Sequence, residues 1–269
     1  MPNQQPPFIR SEMFHFLGMT DHPELPGTIE MMDLKLQAAT HALAYIRSGM
    51  VLGLGSGTTA GLFVDLLGER LRSGALRDIV GVPTSEATAA RARRQGIPLS
   101  TLDEHRRLDL AVDGADEVDP DLNLIKGLGR SLLREKIVVV HADRFLVLIH
   151  EAKLVDRLGT CGPLPVEIVP FAALAHVAWL DTISGRAELW KEADGSPVIT
   201  DNGNYLARCW FAGGIADPYA LARTLADRPG IVDHGLFLDM ATTVAVSGPA
   251  GVRVLNRTQT GTSHSLRSR

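Results

Sequence analysis

Cysteine is nearly missing from this sequence. There are 2 in 269 residues, Cys161 and Cys209, far apart and in no metal-ligand pattern, so they read as free thiols in a reducing compartment. No apolar run approaches the roughly 20 residues needed to cross a bilayer. The N-terminus lacks a basic segment followed by an apolar core, which argues against a secretory signal. Charge of one sign is also missing: a formal net charge of -4 gives no electrostatic case for nucleic acid or an anionic membrane surface. Any anionic group on a ligand must therefore be held locally. The 9 histidines are scattered, with no His/Cys/Asp cluster at ligand spacing, so no metal is expected. A G-x-S-x-G elbow is absent, which removes the usual serine hydrolase. The expected location is the cytoplasm.

What remains is a chain long enough to bury a sizeable core, with an ordinary 45% hydrophobic and 22% charged content. Residues 1–28 contain five prolines and little periodicity, and are expected to form an arm without regular structure. Apolar spacing predicts a helix over 32–46, carrying Lys35 near its start. A strand at 50–54, a glycine turn and a helix at 60–73 follow. Next come a strand at 79–83, a helix at 85–95 closed by Gly96, and short strands at 99–102, 108–112 and 145–149. Strands alternating with helices predict an α/β fold, a doubly wound and mainly parallel, Rossmann-like sheet. Ligands of such sheets bind beyond the carboxyl ends of the strands.

After Gly159 the pattern changes. Prolines 163, 165 and 170 punctuate the run; a helix is expected at 171–180, strands at 187–191 and 205–211, and a helix at 218–226. These suggest a second, smaller α+β domain over 158–232. The first domain would comprise 29–157 plus 233–255, with strands near 244–246 and 252–254 returning to its sheet. Residues 256–269 are polar and basic and are expected to fray.

The densest chemistry lies between Asp109 and Val140. A buried strand runs into Asp113 and Asp116, three apart around Gly114 and Ala115. Lys126, Gly127, Leu128 and Gly129 follow, then a helical segment with Glu135. Each feature alone has a plain structural use. D-G-x-D serves as an Asx turn, Lys126 as a surface lysine, and Glu135, beside Lys136, as a solvated helix residue. The turn 55–59 (Gly55, Ser56, Gly57, Thr58, Thr59) offers amides and hydroxyls to an anion at a helix start, yet would also serve as a capped strand-to-helix turn. It lacks the third glycine of a dinucleotide fingerprint, which argues against a nicotinamide oxidoreductase.

VDGADEVDPDLNLIKGLGRSLLREKIV is similar to the signature of type A ribose-5-phosphate isomerase, as are GLGSGTTA and GVPTSEAT. KLVDRLGTCGPLPVEIVP, TDNGNYL and PGIVDHGLF continue the likeness in the family's order, from about residue 32 to 254. The resemblance implies a cofactor-free aldose–ketose isomerase of the non-oxidative pentose phosphate pathway. It would interconvert ribose 5-phosphate and ribulose 5-phosphate through an enediolate. Glu135, in the Arg134-Glu135-Lys136 triplet, would be the proton-shuttling base. Asp113, Asp116 and Lys126 would open and orient the sugar, and the amides of Gly127, Leu128 and Gly129 would steady the enediolate oxygen. The Ser56 to Thr59 turn with Lys153 would hold the sugar phosphate, and Lys35 would reach its phosphate. A homodimer is implied too.

Two positions depart from the family. Leu128 stands where a glycine is usual, which matters only if that position needs positive φ. Thr160-Cys161-Gly162 adds one residue at the domain junction. A non-catalytic sugar-phosphate sensor on the same fold is the rival reading, but it would carry a DNA-binding helix-turn-helix and lack the acid–base set.

Overall fold

A computed structural model describes residues 26–257 of the protein, with side chains from residue 31; residues 1–25 of the expected N-terminal arm and most of the tail lie outside the described residues, whereas 26–28, expected in the arm, already belong to the first helix. Helix α1 (Pro26–Ala42) starts earlier than its apolar spacing predicts and ends in a 3-10 turn, Leu43–Tyr45. Then come β1 (Val51–Leu54), α2 (Thr58–Arg72), β2 (Val80–Pro83), α3 (Glu86–Arg94) and β3 (Leu110–Gly114). Two-residue strands β4 (Glu117–Val118) and β5 (Leu124–Ile125) lead to α4 (Leu132–Val140) and β6 (Phe145–His150). The second half holds β7 (Leu164–Ile168), α5 (Ala173–Ser184), β8 (Gly185–Leu189), β9 (Tyr205–Phe211) and α6 (Pro218–Ala226). It closes with β10 (Ile231–His234), β11 (Leu236–Phe237), β12 (Thr243–Gly248) and β13 (Gly251–Asn256).

Six strands form one sheet in the order β13-β12-β6-β3-β1-β2, parallel except for the β12–β13 hairpin. The order reverses at β1: the chain passes outward to β2 and then returns to β3 on the other side. That switch point opens a crevice at the carboxyl ends of β1 and β3, the place such sheets bind ligands. Side chains alternate across the sheet as strand geometry demands. Leu110, Val112, Leu146 and Leu148 join α1 and α2 in one core, with Ala38, Phe63, Val64 and Leu67. Ala111, Phe145, Val147 and Ile149 face the opposite core with Val139, Leu124 and Phe237. Asp113 has the parity of Ala111 and so emerges on the face that α4 covers.

The smaller α+β part is an antiparallel sheet, β10-β7-β9-β8, packed by α5 and α6 around Leu164, Val166, Ile168, Leu180 and Leu225. Prolines hid β7 from sequence reading, yet it is a central strand. The Pro165 carbonyl accepts the Gly235 N–H at 2.8 Å, just past the end of β10, and Gly235 O takes the Lys126 N–H at 2.9 Å. Pro165 therefore sits where no ladder N–H is required, and this relay ties the antiparallel sheet to the chain entering the site.

Several predicted elements differ: the strand expected at 187–191 is Gly185–Leu189 and the helix expected at 171–180 is Ala173–Ser184. Residues 99–102 provide a single bridge, Leu99 to Gly81, because Pro98 and Ser100 bond only around that one residue. The strand expected at 108–112 is shifted forward to Leu110–Gly114, with Leu108 bridging Ala142 alone. The three-stranded sheet β11-β5-β4 was invisible in sequence, since two-residue strands carry no periodicity.

Candidate active site

Asp113 closes β3 beneath the turn that follows β1. A Cβ on Gly55 would lie 2.2 Å from Asp113 Cγ, so only glycine leaves room for that carboxylate. Asp113 Oδ1 accepts the N–H groups of Ser56 (3.1 Å) and Gly114 (2.7 Å), and Oδ2 accepts from Lys126 Nζ at 2.9 Å. Lys126 also donates to the Gly114 carbonyl at 2.6 Å and stands over the Phe237 ring, 5.4 Å from its centroid.

Glu135 reaches this pair from the other side. Helix α4 lies directly on β1, where a Cβ on Gly53 would come within 2.6 Å of Val138 Cγ1. Leu132, Glu135 and Val138 recur three apart along its buried face, which carries Glu135 one turn beyond Val138 to the strand ends. The side chain is 3% exposed. Glu135 Oε2 lies 3.2 Å from Lys126 Nζ as a buried ion pair and has no other polar partner.

One ammonium thus faces two buried carboxylates. Burial, and then the Asp113 charge, push Glu135 up to about 8, against the pull of Lys126. Asp113 is also raised by burial, with Lys126 and its two amide donors opposing. Its better hydrogen bonding makes Asp113 the carboxylate that stays charged, and Glu135 the one that holds a proton most readily. Burial works against the charge on Lys126, but Asp113 and Glu135 outweigh it and keep the pKa above the ordinary lysine value.

A cavity of about 430 Å³ opens in front of this cluster. Glu135, Lys126, Asp116, Gly114 and Ala115 line one end. Gly57, Thr58, Thr59, Lys35 and Lys153 line the other. Lys35 Nζ donates to Thr58 Oγ1 at 3.0 Å, and burial and then the Lys153 charge lower its pKa. Asp113 lies behind Lys126 rather than on the wall. Ser56 touches the cavity, but its hydroxyl is turned into a cluster with Thr84 (2.7 Å), Ser85 (2.8 Å) and Thr88 (3.1 Å).

Gly127 (φ 110) and Gly129 are also on the wall, whereas the Leu128 N–H is spent on Asp116 Oδ2 at 2.9 Å. Leu128 is not among the residues with positive φ; the left-handed positions of this turn fall to Gly127 and to Arg130 (φ 69). The leucine is accommodated without strain and points outward. Two residues escaped sequence reading. His150, at the end of β6, lines the cavity, its pKa lowered by burial and then by Lys153 and Lys35. Glu117 accepts the N–H groups of Cys161 (2.7 Å) and Gly162 (3.0 Å), anchoring the lengthened junction next to Asp116. Among the described residues no group of three or more His, Cys, Asp or Glu side chains is arranged to hold a metal.

Residues 80–251 match the family model for ribose 5-phosphate isomerase A (phosphoriboisomerase A). The chain belongs to the ribose 5-phosphate isomerase A family. Ribose-5-phosphate isomerase A of Roseiflexus castenholzii is 51% identical over 216 residues, 80% of this chain and 92% of that relative. A D-ribose-5-phosphate isomerase solved in complex with phospho-erythronic acid superimposes with a TM-score of 0.81 at 43% identity, covering 84% of this chain and 99% of the other. The ribose 5-phosphate isomerase of Plasmodium falciparum gives 0.81 at 37% identity, with the same shares covered. Both solved relatives align over nearly their whole length with this chain.

Proposed function

We propose that the protein interconverts ribose 5-phosphate and ribulose 5-phosphate in this cavity, with Glu135 moving a proton between C1 and C2 through an enediolate. The observation that carries the base is Glu135 Oε2: buried, partnered by the Lys126 ammonium alone, and at the wall of the cavity. Burial holds its pKa near 8, where a carboxylate both takes and returns a proton efficiently. Lys126, fixed by Asp113, presents a positive charge to the oxygen that becomes negative. Asp116 accepts sugar hydroxyls and, with Asp113 and Lys126, promotes ring opening. The amides of Gly127 and Gly129 complete the cradle, with that of Leu128 acting through Asp116. Lys35, Lys153 and the start of α2 at Thr58 hold the phosphate, joining two ammonium groups to helix-terminal N–H donors.

A homodimer acting in the cytoplasm, with sugar phosphate as ligand and neither nucleic acid nor membrane as partner, completes the reading. The net charge of -4 argues against nucleic acid or an anionic membrane as partner, and among the described residues no helix is long and apolar enough to cross a membrane. Two units, 29–157 with 233–255 and 158–232, are the proposed domains. Turnover of ribose 5-phosphate by purified protein with EDTA present tests the activity. In deuterated water the enediolate route washes deuterium into C1 of ribulose 5-phosphate; a product free of deuterium after prolonged cycling would exclude it.

A further inference from the structure

Glu135 enters the cavity between two cations that do not. Arg134 and Lys136 are absent from the cavity wall, and each grips a different part of the antiparallel half. Arg134 Nε donates to Asn202 Oδ1 at 2.9 Å, Nη2 to the Asp201 carbonyl at 2.9 Å and Nη1 to Glu86 Oε1 at 2.8 Å. The turn it holds is itself fixed from beneath. Glu167 of β7 is fully buried, and its Oε1 accepts from Thr200 Oγ1 (3.0 Å), Asn202 Nδ2 (3.1 Å) and Asn204 Nδ2 (2.9 Å). Asp201 Oδ2 also accepts the Glu86 N–H at 2.8 Å, joining the turn to the start of α3. On the other flank Lys136 Nζ donates to Asp233 Oδ1 and to the His234 carbonyl of β10, both at 2.6 Å.

Helix α4 needs such fastening. It spans 9 residues, has no side-chain hydrogen bond at its N-cap, and leaves Ile137 and Val140 exposed. A helix this short has little stability of its own, and its apolar contacts hold one side only. We propose that Arg134 and Lys136 are positioning residues. They bolt α4 to the antiparallel sheet on both flanks, through the TDNGN turn and β10, and so fix where the Glu135 carboxylate stands in the cavity. The proposal rests on Glu135 being the base. On this view the antiparallel part sets the geometry of proton transfer although it supplies no group to the reacting atoms.

The test measures kcat and KM for ribose 5-phosphate across pH, with thermal midpoints, for full-length Arg134→Ala, Arg134→Lys, Asn202→Ala and Glu135→Gln. A misplacement of about 1 Å costs on the order of 100-fold in rate. Arg134→Ala should therefore lower kcat by roughly 10- to 100-fold with KM changed less than about threefold. Water admitted to the loosened site should also move the acid limb of its kcat profile to lower pH. Arg134→Lys should recover part of the loss, and Asn202→Ala, which removes one of the three Arg134 bonds together with the Asn202–Glu167 bond, should show a smaller fall of the same kind. A folded Arg134→Ala with wild-type kcat and pH profile overturns the proposal, as does a change confined to thermal midpoint or KM. Should Arg134→Ala fail to fold, Asn202→Ala and Lys136→Met carry the same criteria. Glu135→Gln at near wild-type turnover would overturn the base and the clamp together. A slow Glu135→Gln beside a wild-type-like Arg134→Ala overturns the clamp alone.

Discussion

The two ends of the cavity carry opposite kinds of charge and treat them differently. At the end proposed for proton transfer Asp113, Lys126 and Glu135 are each no more than 3% exposed and locked at 2.9–3.2 Å. At the far end Lys35 and Lys153 are half-buried and close enough for their charges to depress the pKa of His150 after burial does. The first end spends its positive charge on two internal carboxylates; the second keeps positive charge available. Desolvation with fixed geometry suits a proton in transit, while surplus cations suit a dianion that arrives with the substrate.

The sharpest way to break this contrast is Glu135→Gln. It should lower kcat by about 10²–10⁴ with little change in KM, the usual loss when a general acid–base group is removed. In the wild type, kcat/KM should fall about tenfold per pH unit below the Glu135 pKa near 8. The stability consequence has the opposite sign from that of an ordinary paired carboxylate. Because the folded pKa lies above the unfolded one, the cost of charging Glu135 is absent at acid pH and grows as pH rises from the usual glutamate value to about 8. Melting curves should show Glu135→Gln matching wild type near pH 4 and exceeding it at pH 9.

Lys126→Met comes next. It strands the buried Asp113 carboxylate, so urea titration at neutral pH should report a loss of about 3–5 kcal/mol. At the cationic end the expected effect is smaller and of another kind. Lys153→Met should raise KM by roughly 10- to 100-fold, in line with about 1.5–3 kcal/mol for a hydrogen bond to a charged group, with kcat retained. An equal fall in kcat would mean that the two ends are not separable. Smallest is Ser56→Ala. Its hydroxyl faces Thr84, Ser85 and Thr88, so stability should drop by about 0.5–1.5 kcal/mol with KM unchanged; a large KM increase would return that hydroxyl to the phosphate.

How much of this was legible varied with how local the signal was. Pro218–Ala226 carries Asp217 as a side-chain N-cap and proline at its first position, and Tyr205–Phe211 is an apolar run interrupted only by Arg208; both were read to the residue. Strand β7 was not, because the ladder donor that Pro165 lacks is unneeded only in the presence of Gly235 and Lys126, distant in sequence. Glu135 had a signal that was overlooked. It falls three residues from Leu132 and three from Val138 on the buried stripe, but exposed Ile137 and Val140 blur the periodicity of LLREKIVVV, and a charged residue beside lysine suggests solvent.

The sequence by itself determined the alternating strands and helices, the acid and glycine turns at strand ends, and the family, because each depends on neighbours within a few tens of residues. Only the tertiary structure decided that one ammonium serves two buried carboxylates, that Ser56 turns inward, and that the Leu128 amide is spent on Asp116. Burial and charge pairing are properties of what lies across a cavity, and no spacing along the chain encodes the distance between Lys126 and Glu135.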